Sequence, residues 1–255
     1  MSNQSIYDYP LYYDILFGWD RTLEADFYST TLKLYSIEPD DKVLEVGCGT
    51  GQIARKLAKR GWQMTGLDLS SEMTSFMIQC ATTKQLTITA INDDMRYFSE
   101  AGYDAAICPM STVRLLQTDE DMLAHLQAMS SALRVNGIYI LDIYLTPLEG
   151  EDEGDPDSWS MSRDSIEITA NDEYIVVDDA GTKLKLGWGP ELRSLTCQAF
   201  DALVAQTAFS IISVHPETMR ADLSVFTTEN RQSTLLAGRN MVVLKRLARD
   251  EPSST

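Results

Sequence analysis

The 255-residue sequence is poor in histidine, cysteine and positive charge, and each shortage excludes functions. It contains two histidines, His125 and His215, so schemes that depend on an imidazole have few candidates. The four cysteines include no Cys-x-x-Cys pair, and no histidine is spaced to complete a zinc site. We therefore expect no metal site, and reduced thiols in a cytoplasmic protein.

Long apolar runs are also lacking, which argues against a transmembrane span. The N-terminal stretch has neither the basic nor the apolar region of a secretory signal. Basic residues number 21 against 38 acidic ones, a formal charge of −17. Such a surface repels phosphate backbones and anionic lipids, so we expect no nucleic acid or membrane partner, and cations such as amines are favoured.

Between residue 42 and about residue 145, short apolar runs alternate with segments of helical periodicity. This alternation predicts a parallel sheet covered by helices on both faces, with ligands bound beyond the carboxyl ends of the strands. Ser70 is a predicted helix N-cap. The predicted strands cover residues 42–48, 63–68, 86–91, 105–108 and 138–143, and the helices include residues 52–59 and 119–134.

The pattern changes after the fifth predicted strand. An acidic stretch with glycine and proline, residues 149–158, predicts a solvated loop, and short β-prone runs up to residue 196 predict an antiparallel excursion. A helix at 197–206 and strands at 208–214 and 240–245 follow. The predicted fold is α/β, a Rossmann-like doubly wound, mostly parallel seven-stranded sheet with an antiparallel β insertion after the fifth strand. We expect a helical lead-in or lid at 1–36, a core at 37–148 and 197–248, and the insertion at 149–196.

The most informative segment is the glycine-rich turn after the first strand, Glu45-Val-Gly47-Cys-Gly49-Thr-Gly51. Glycines there allow backbone N–H groups to approach a ligand closely. A dinucleotide site expects Gly-x-Gly-x-x-Gly, whereas this chain has Gln52 at the sixth position. The Glu45 carboxylate would repel a pyrophosphate but can pair with an amino group. The turn therefore favours a zwitterionic ligand over NAD.

This turn, followed by Asp68 at the end of the second strand and Asp93-Asp94-Met95 after the third, resembles the class I S-adenosylmethionine-dependent methyltransferases. The resemblance covers roughly residues 37–145. It implies S-adenosylmethionine as cofactor and S-adenosylhomocysteine as product. It also implies a set of cofactor-binding residues, namely Tyr13, Glu45, Gly47, Cys48, Gly49, Gly51, Asp68, Leu69, Met73, Asp93, Asp94, Met95, Cys108 and Pro109.

The resemblance assigns these residues individual roles. The three glycines would line the methionine and ribose portion, and Glu45 would lie near the amino group. Asp68 would accept hydrogen bonds from both ribose hydroxyls, while Asp94 and the Met95 N–H would bind adenine between Leu69 and Met73. Alternatives stay open at this stage. Asp68 could instead be a helix cap, Met73 a core residue and Asp93 a solvated neighbour of Asp94.

The segment Cys108–Arg114 would lie beneath the transferring methyl group. It lacks the Asn/Asp-Pro-Pro-Tyr/Phe run of nucleobase methyltransferases, and the sequence lacks the acids that hold Mg²⁺ for catechol methylation. The tyrosine-rich stretch up to Phe17 resembles the lead-in of glycine and amino-sugar N-methyltransferases, in which Tyr13 would close the site; simple aromatic packing is the alternative. The predicted substrate-binding residues are Met110, Ser111, Arg114, Trp159 and Arg193, with Trp188 as a further candidate.

The resemblance implies methyl transfer by in-line displacement, which depends on alignment and exclusion of water. An amine acceptor must arrive deprotonated, whereas a hydroxyl would require a base, for which His215 is the candidate. His125 lies among apolar helical neighbours, which indicates packing. We expect transfer to a small-molecule amine. The alternatives are a non-catalytic binder of the cofactor or its product, an O-methyltransferase using His215, and an NAD-linked oxidoreductase. The sequence does not identify the acceptor. A homodimer is possible, and the sequence does not decide it.

Overall fold

A computed structural model describes residues 4–146, 159–170, 173–178, 180–187, 189–216, 235 and 238–248. Two short 3-10 helices, Ile6–Asp8 and Thr112–Leu115, accompany the regular elements. The α-helices are α1 (Pro10–Leu16), α2 (Thr22–Leu34), α3 (Gln52–Lys59), α4 (Ser71–Thr83), α5 (Asp119–Ala132) and α6 (Cys197–Val204). The strands are β1 (Lys42–Val46), β2 (Gln63–Asp68), β3 (Ile88–Asn92), β4 (Tyr103–Cys108), β5 (Leu133–Leu145), β6 (Trp159–Arg163), β7 (Ile166–Ala170), β8 (Tyr174–Val177), β9 (Lys183–Leu186), β10 (Phe209–Pro216) and β11 (Gly238–Arg246).

The larger sheet has seven strands in the order β10-β11-β5-β4-β1-β2-β3. Strands β1 to β5 are parallel, whereas β11 runs antiparallel to β5 and β10 antiparallel to β11. The chain proceeds from β1 outward to β3 and then returns to the other side of β1 with β4. The adjacent carboxyl ends of β1 and β4 therefore form a topological switch point, where ligands bind in such sheets. The predicted fold class is confirmed.

Local sequence explains where the helices begin. The Ser70 hydroxyl accepts a hydrogen bond from the Met73 N–H and caps α4, as predicted. Thr118 caps α5 in the same way, and three acidic residues in the first turn complement the helix dipole. Gly51 precedes α3 in a left-handed conformation, with φ of +70°. These local signals fix the residues at which α3, α4 and α5 begin.

Two apolar layers cover the larger sheet. On one face α5 and α6 pack on Leu44 and Leu141, and on the other α2, α3 and α4 pack on Val43 and Ile107. Val43 and Leu44 are consecutive, so β1 is buried on both faces. This burial explains the continuous apolar character of the strand in the sequence.

The smaller sheet is an antiparallel meander in the order β6-β7-β8-β9. Its inner face, which includes Ile168 and Val176, packs against Ile15 and Leu16 of α1. The N-terminal segment also pairs with its edge, since the Ile6 N–H donates to the Gly187 carbonyl at 3.3 Å. The insertion and the N-terminal helix therefore share an apolar cluster of their own.

The structure differs from the predicted elements in two places. Strand β6 was not predicted as a strand, because its serines break any apolar run, but its main chain pairs along the whole of β7. Helix α5 was predicted to reach residue 134, yet it ends at Ala132 because Leu133 pairs with Tyr103 and begins β5. Asn136, with φ of +69°, lies within this strand. In the described part of the chain no helix is long and apolar enough to cross a bilayer.

Candidate active site

A crevice of about 610 Å³ opens at the carboxyl ends of the central strands. Its volume falls in the usual range of small-molecule sites. The predicted cofactor residues that line it are Tyr13, Gly47, Gly49, Asp68, Leu69, Met73, Asp93, Asp94 and Met95. Residues spread over more than 80 positions of the sequence therefore meet at one site, at the switch point that the topology defines.

The glycine turn is packed so closely that two of its glycines have no space for a side chain. A Cβ on Gly47 would lie 2.3 Å from the Thr112 Cγ2 atom, and one on Gly51 would lie 2.3 Å from Cγ of Met77. Gly47 and Gly49 line the crevice. Gly51, in contrast, faces α4 and lets α3 pack against it, so its predicted place on the wall of the crevice is not supported.

The Asp68 carboxylate lies at the end of β2 and accepts hydrogen bonds from the N–H groups of Gly49 at 2.7 Å and Ser70 at 2.9 Å. Burial raises the pKa of this carboxyl, although both hydrogen bonds act in the opposite direction. Ser70, and not Asp68, is the helix cap. Asp68 thus joins the glycine turn to the second strand at the crevice wall, where it can accept from a ligand.

Of the two acids after β3, Asp94 is the more firmly placed. Both of its oxygens accept from the Arg96 guanidinium, at 3.0 and 2.6 Å, and these bonds hold the pKa of Asp94 below its usual range. Arg96 also pairs with Asp121 at 2.8 Å. Asp93 is exposed, and its carboxylate accepts the Asp94 N–H. Both acids line the crevice.

Glu45 lies behind the glycine turn, beside a small second cavity of about 20 Å³. The two cavities adjoin, since Tyr13, Gly47 and Thr112 line both. Glu45 is 2% exposed, and its carboxylate accepts the Ala54 N–H of α3 at 2.6 Å. Burial raises the pKa of Glu45 to about 8. A carboxyl in this state gains a counter-charge when a cation enters the cavity.

Arg21 is a site residue that the sequence analysis missed. It is 1% exposed and lines the same small cavity as Glu45. Its guanidinium donates to the Gln52 Oε1 atom at 3.0 Å and to Glu24, and it lies 2.8 Å from the Met110 sulfur. No motif marks this arginine, because only the packing of α2 against α3 brings it to the glycine turn. The small cavity therefore presents one cation and one acid, which suits a zwitterion.

Tyr13 both packs and lines the site, so the two alternatives for it are compatible. Its ring contacts Tyr7 and Phe17, with centroids 5.4 and 4.6 Å away, and lies 3.4 Å from the Cβ position of Gly49. Helix α1 is held in place by Asp14, whose carboxylate pairs with Arg55 of α3 at 2.5 Å and Arg163 of β6 at 2.9 Å. The tyrosine thus closes over the glycine turn from a firmly anchored helix.

The remaining predicted cofactor residues lie deeper. Cys48 and Pro109 line the small cavity, and the Cys48 sulfur also packs beside Gly66 of β2. Cys108 is fully buried in β4 and does not line either cavity, so its predicted contact with the cofactor is not supported. All four cysteines are free thiols.

The predicted substrate residues divide into those near the site and those away from it. Met110 lines the small cavity beside Arg21, and Ser111 follows it as a buried residue. Arg114 is directed into the protein, where its guanidinium lies 5.4 Å from the Tyr144 ring and donates to the Arg193 carbonyl at 2.7 Å. Arg193 pairs with Asp119. These two arginines join the 3-10 helix to the segment before α6 and line neither cavity.

The side chains of the two tryptophans predicted at the acceptor, Trp159 and Trp188, lie outside the described residues. Trp159 begins β6 and pairs with Ala170 through its main chain. Their role at the acceptor therefore stays a prediction.

His215 is buried on β10, away from both cavities. Its Nε2 atom lies 3.1 Å from the Ser213 hydroxyl, and its ring meets Phe27 edge-on. These contacts do not support a role as general base. His125 is fully buried, with its ring nitrogens 3.0 Å from the Met95 carbonyl and 2.8 Å from the Tyr139 hydroxyl. Burial lowers its pKa to about 4, so it is a neutral packing residue that supports the crevice wall.

A glycine turn after β1, an acid at the end of β2 and a sheet whose last two strands are antiparallel define the class I S-adenosylmethionine-dependent methyltransferase fold. Comparison with known proteins agrees. Residues 43–137 match the family described as methyltransferase domain. The predicted resemblance to the S-adenosylmethionine-dependent methyltransferases, with S-adenosylmethionine as cofactor, is confirmed, and the family match itself extends over residues 43–137.

Three similar proteins illustrate the relationship. The glycine/sarcosine N-methyltransferase of Aphanothece halophytica is 28% identical over 145 residues, which are 55% of this chain and 54% of that protein. The sugar N-methyltransferase KedS8 from Streptoalloteichus superposes with a TM-score of 0.69 at 18% identity, covering 97% of this chain and 95% of that one. CalS10, an amino pentose methyltransferase from Micromonospora echinaspora with S-adenosylmethionine bound, gives 0.61 at 20% identity, with coverages of 88% and 92%. The chain spans about half the length of the curated relatives it matches.

Proposed function

We propose that this protein transfers a methyl group from S-adenosylmethionine to a small-molecule amine. The observation that carries the proposal is the small cavity beside the glycine turn, where the Arg21 guanidinium and the Glu45 carboxyl, which can ionise beside a cation, face one space. When bound, the cofactor supplies a methyl group on a positively charged sulfur, and its amino acid portion is a zwitterion. Arg21 would bind its carboxylate and Glu45 its ammonium group once the cavity, which has room for about one water molecule, has widened.

The larger crevice fits the adenosine portion. Asp68 would accept from the ribose hydroxyls and Asp94 from the adenine amine, with the ring between Leu69 and Met73. His125 would fix the Met95 main chain, whose carbonyl is 3.0 Å from its Nδ1 atom. Arg96 holds Asp94 ionised and in place. The residues that line the larger crevice would therefore bind and orient the adenosine portion of the cofactor.

An amine acceptor is favoured by the charge of the crevice. Its lining includes one cation, Arg96, and four carboxylates, those of Asp68, Asp93, Asp94 and Asp121. This excess of negative charge attracts a cationic acceptor toward the site, where it loses a proton to water before it reacts. A hydroxyl acceptor would need a general base, and neither histidine lies in the crevice. Transfer then depends on alignment of the acceptor and the methyl group, which positioning alone can accelerate greatly.

The test is incubation of the purified protein with S-adenosylmethionine and a panel of amino acids, amino sugars and alcohols of matched shape. We expect S-adenosylhomocysteine to form with at least one amine and with no alcohol. If the protein binds S-adenosylmethionine but methylates no amine, the proposal is overturned in favour of a non-catalytic binder. Turnover confined to alcohols would overturn it in favour of O-methyl transfer.

Two substitutions test where the cofactor binds. Asp68→Ala should weaken S-adenosylhomocysteine binding by about 100-fold in calorimetry, because two hydrogen bonds to a charged group are lost. Asp40→Ala is the matched control, since Asp40 is an exposed acid at the opposite end of β1. Equal affinities for the two variants would contradict the placement of the ribose at Asp68.

A further inference from the structure

The loop between β4 and the following 3-10 helix adopts an unfavourable backbone conformation. Met110 has φ of +61° and Ser111 has φ of +53°. Two successive non-glycine residues in the left-handed region are unfavourable, because the Cβ atom of each comes close to the following carbonyl oxygen. Such strain persists only where the surrounding structure holds it, and it concentrates at functional sites. In the proposed function, on which this inference rests, the methyl group would be transferred beside this loop.

The loop touches the glycine turn directly. The Thr112 methyl group occupies the space that a side chain on Gly47 would need, at 2.3 Å from its Cβ position. Pro109, Met110 and Thr112 also line the small cavity beside Glu45. A displacement of the loop would therefore change the spacing between the acceptor side and the cofactor side of the site.

A buried carboxylate on the neighbouring strand holds the loop. Asp142 of β5 is 1% exposed, and its Oδ2 atom accepts the Met110 N–H at 2.8 Å. Arg239 of the antiparallel strand β11 donates to both oxygens of the same carboxylate, at 2.9 Å from Nε and 2.6 Å from Nη2. A two-point pairing of this kind fixes the orientation of the carboxylate as well as its position.

The pairing continues across the site. The Arg239 guanidinium lies 3.7 Å from Glu24, which pairs with Arg21 at 3.0 Å. Arg21 donates to Gln52 at the start of α3. The chain of two carboxylates and two guanidiniums therefore connects the loop with the helix that follows the glycine turn. Buried networks of this type are rigid when every member is paired.

We propose that Asp142, oriented by Arg239, is a positioning residue for methyl transfer, which holds the strained Met110–Ser111 backbone against the glycine turn. Asp142 does not line either cavity, so it acts through the Met110 N–H and not on the reacting atoms. Arg239 is part of the same device. Neither residue belongs to the glycine turn or to the acids of the adenosine crevice.

The test compares Asp142→Asn with Asp104→Asn. Asp104 is a matched control at the opposite end of the sheet, because it is also buried, accepts the Lys42 N–H at 2.6 Å and pairs with Arg134. We expect Asp142→Asn to lower kcat by about 100-fold, as a misplacement of about 1 Å does. Its affinity for S-adenosylhomocysteine should fall much less than kcat, by less than about tenfold, or 1.4 kcal/mol. Asp104→Asn should lower the melting temperature but leave kcat unchanged.

A kcat for Asp142→Asn within about twofold of wild type, or an equal loss in Asp104→Asn, would overturn the proposal. If Asp142→Asn fails to fold, Arg239→Lys carries the test, because lysine keeps the charge but cannot bind both carboxylate oxygens. For that variant we expect a loss of kcat of about tenfold, again with a smaller loss of product affinity. An unchanged kcat would be equally decisive against the proposal.

A second readout does not require turnover. In protein labelled at its methionine methyl groups and saturated with S-adenosylhomocysteine, the Met110 resonance, assigned with Met110→Leu, should shift in Asp142→Asn and not in Asp104→Asn. A shift in a protein that methylates no amine would support the positioning role while the proposed function fails. An unshifted resonance in a protein that does methylate an amine would overturn the positioning role alone.

Discussion

Glu45 offers the sharpest test of the physical reasoning, because its burial should make the stability of the protein depend on pH. The carboxyl is 2% exposed, and its pKa is raised from 4.5 to about 8. Between these two values the unfolded chain has lost the proton and the folded protein retains it. The free energy of unfolding therefore falls as the pH rises through this interval.

The magnitude follows from the interval between the two pKa values. At about 1.36 kcal/mol per pH unit, the full effect is about 5 kcal/mol. Glu45→Gln removes the titration but keeps an oxygen that can accept the Ala54 N–H. The variant should match the wild type in stability below pH 4.5, and its advantage should grow to several kcal/mol, about 5 at most, above pH 8.

The assay is urea unfolding followed by tryptophan fluorescence at pH 5, 7 and 9, with the difference between the two proteins taken at each pH. All other titrating groups are shared, so they cancel in the difference. A difference that stays constant over this range would refute the reasoning, since it would mean that Glu45 is ionised throughout. A difference that decreases with pH would refute it as well.

The same carboxyl connects stability with the proposed binding. An ammonium group in the small cavity favours ionised Glu45, so the wild type should release a proton when S-adenosylhomocysteine binds at pH 7. With a pKa of about 8, Glu45 is mostly protonated at pH 7, so most of one proton is available for release. Calorimetry in buffers of different ionisation enthalpy should show this release in the wild type and not in Glu45→Gln. Equal proton counts would place the amino group elsewhere.

Three further predictions concern individual contacts. Gly47→Ala should reduce S-adenosylhomocysteine affinity at least about tenfold in calorimetry, because the new methyl group would collide with Thr112. Gly61→Ala is the control, since Gly61 is also at positive φ but has open space around it. It should cost only about 1 kcal/mol of stability and leave binding unchanged. Asp14→Asn should destabilise the protein by about 3 kcal/mol at pH 7 in urea unfolding. Burial raises the pKa of Asp14, but Arg55, Thr50 and Arg163 together hold it below its usual value. The stability that Asp14 contributes should therefore be lost as the pH falls through that lower pKa. A difference in unfolding free energy between Asp14→Asn and the wild type that does not shrink at acid pH would contradict this. His215→Gln should retain methyl transfer within about twofold in the turnover assay, and a loss of 100-fold would restore His215 as a base.

The fold could be predicted from the sequence because its signals are local. Apolar runs of strand length and the cap at Ser70 lie within a few residues of the elements they specify. The cofactor resemblance depends on similarly local features, namely the glycine turn and the acids after β2 and β3. Strand β6 and the early end of α5 could not be predicted, since both depend on pairing with distant strands.

The sequence by itself determined which groups the site contains near the strand ends, because backbone geometry places strand ends at one edge of a parallel sheet. Only the tertiary structure decided which charged side chains join them. Arg21 and Arg239 come from opposite ends of the chain, and Asp142 meets Met110 through a neighbouring strand. It also directed Arg114 and His215 away from the crevice. Side-chain direction at such positions depends on packing between elements, for which a local pattern carries no signal.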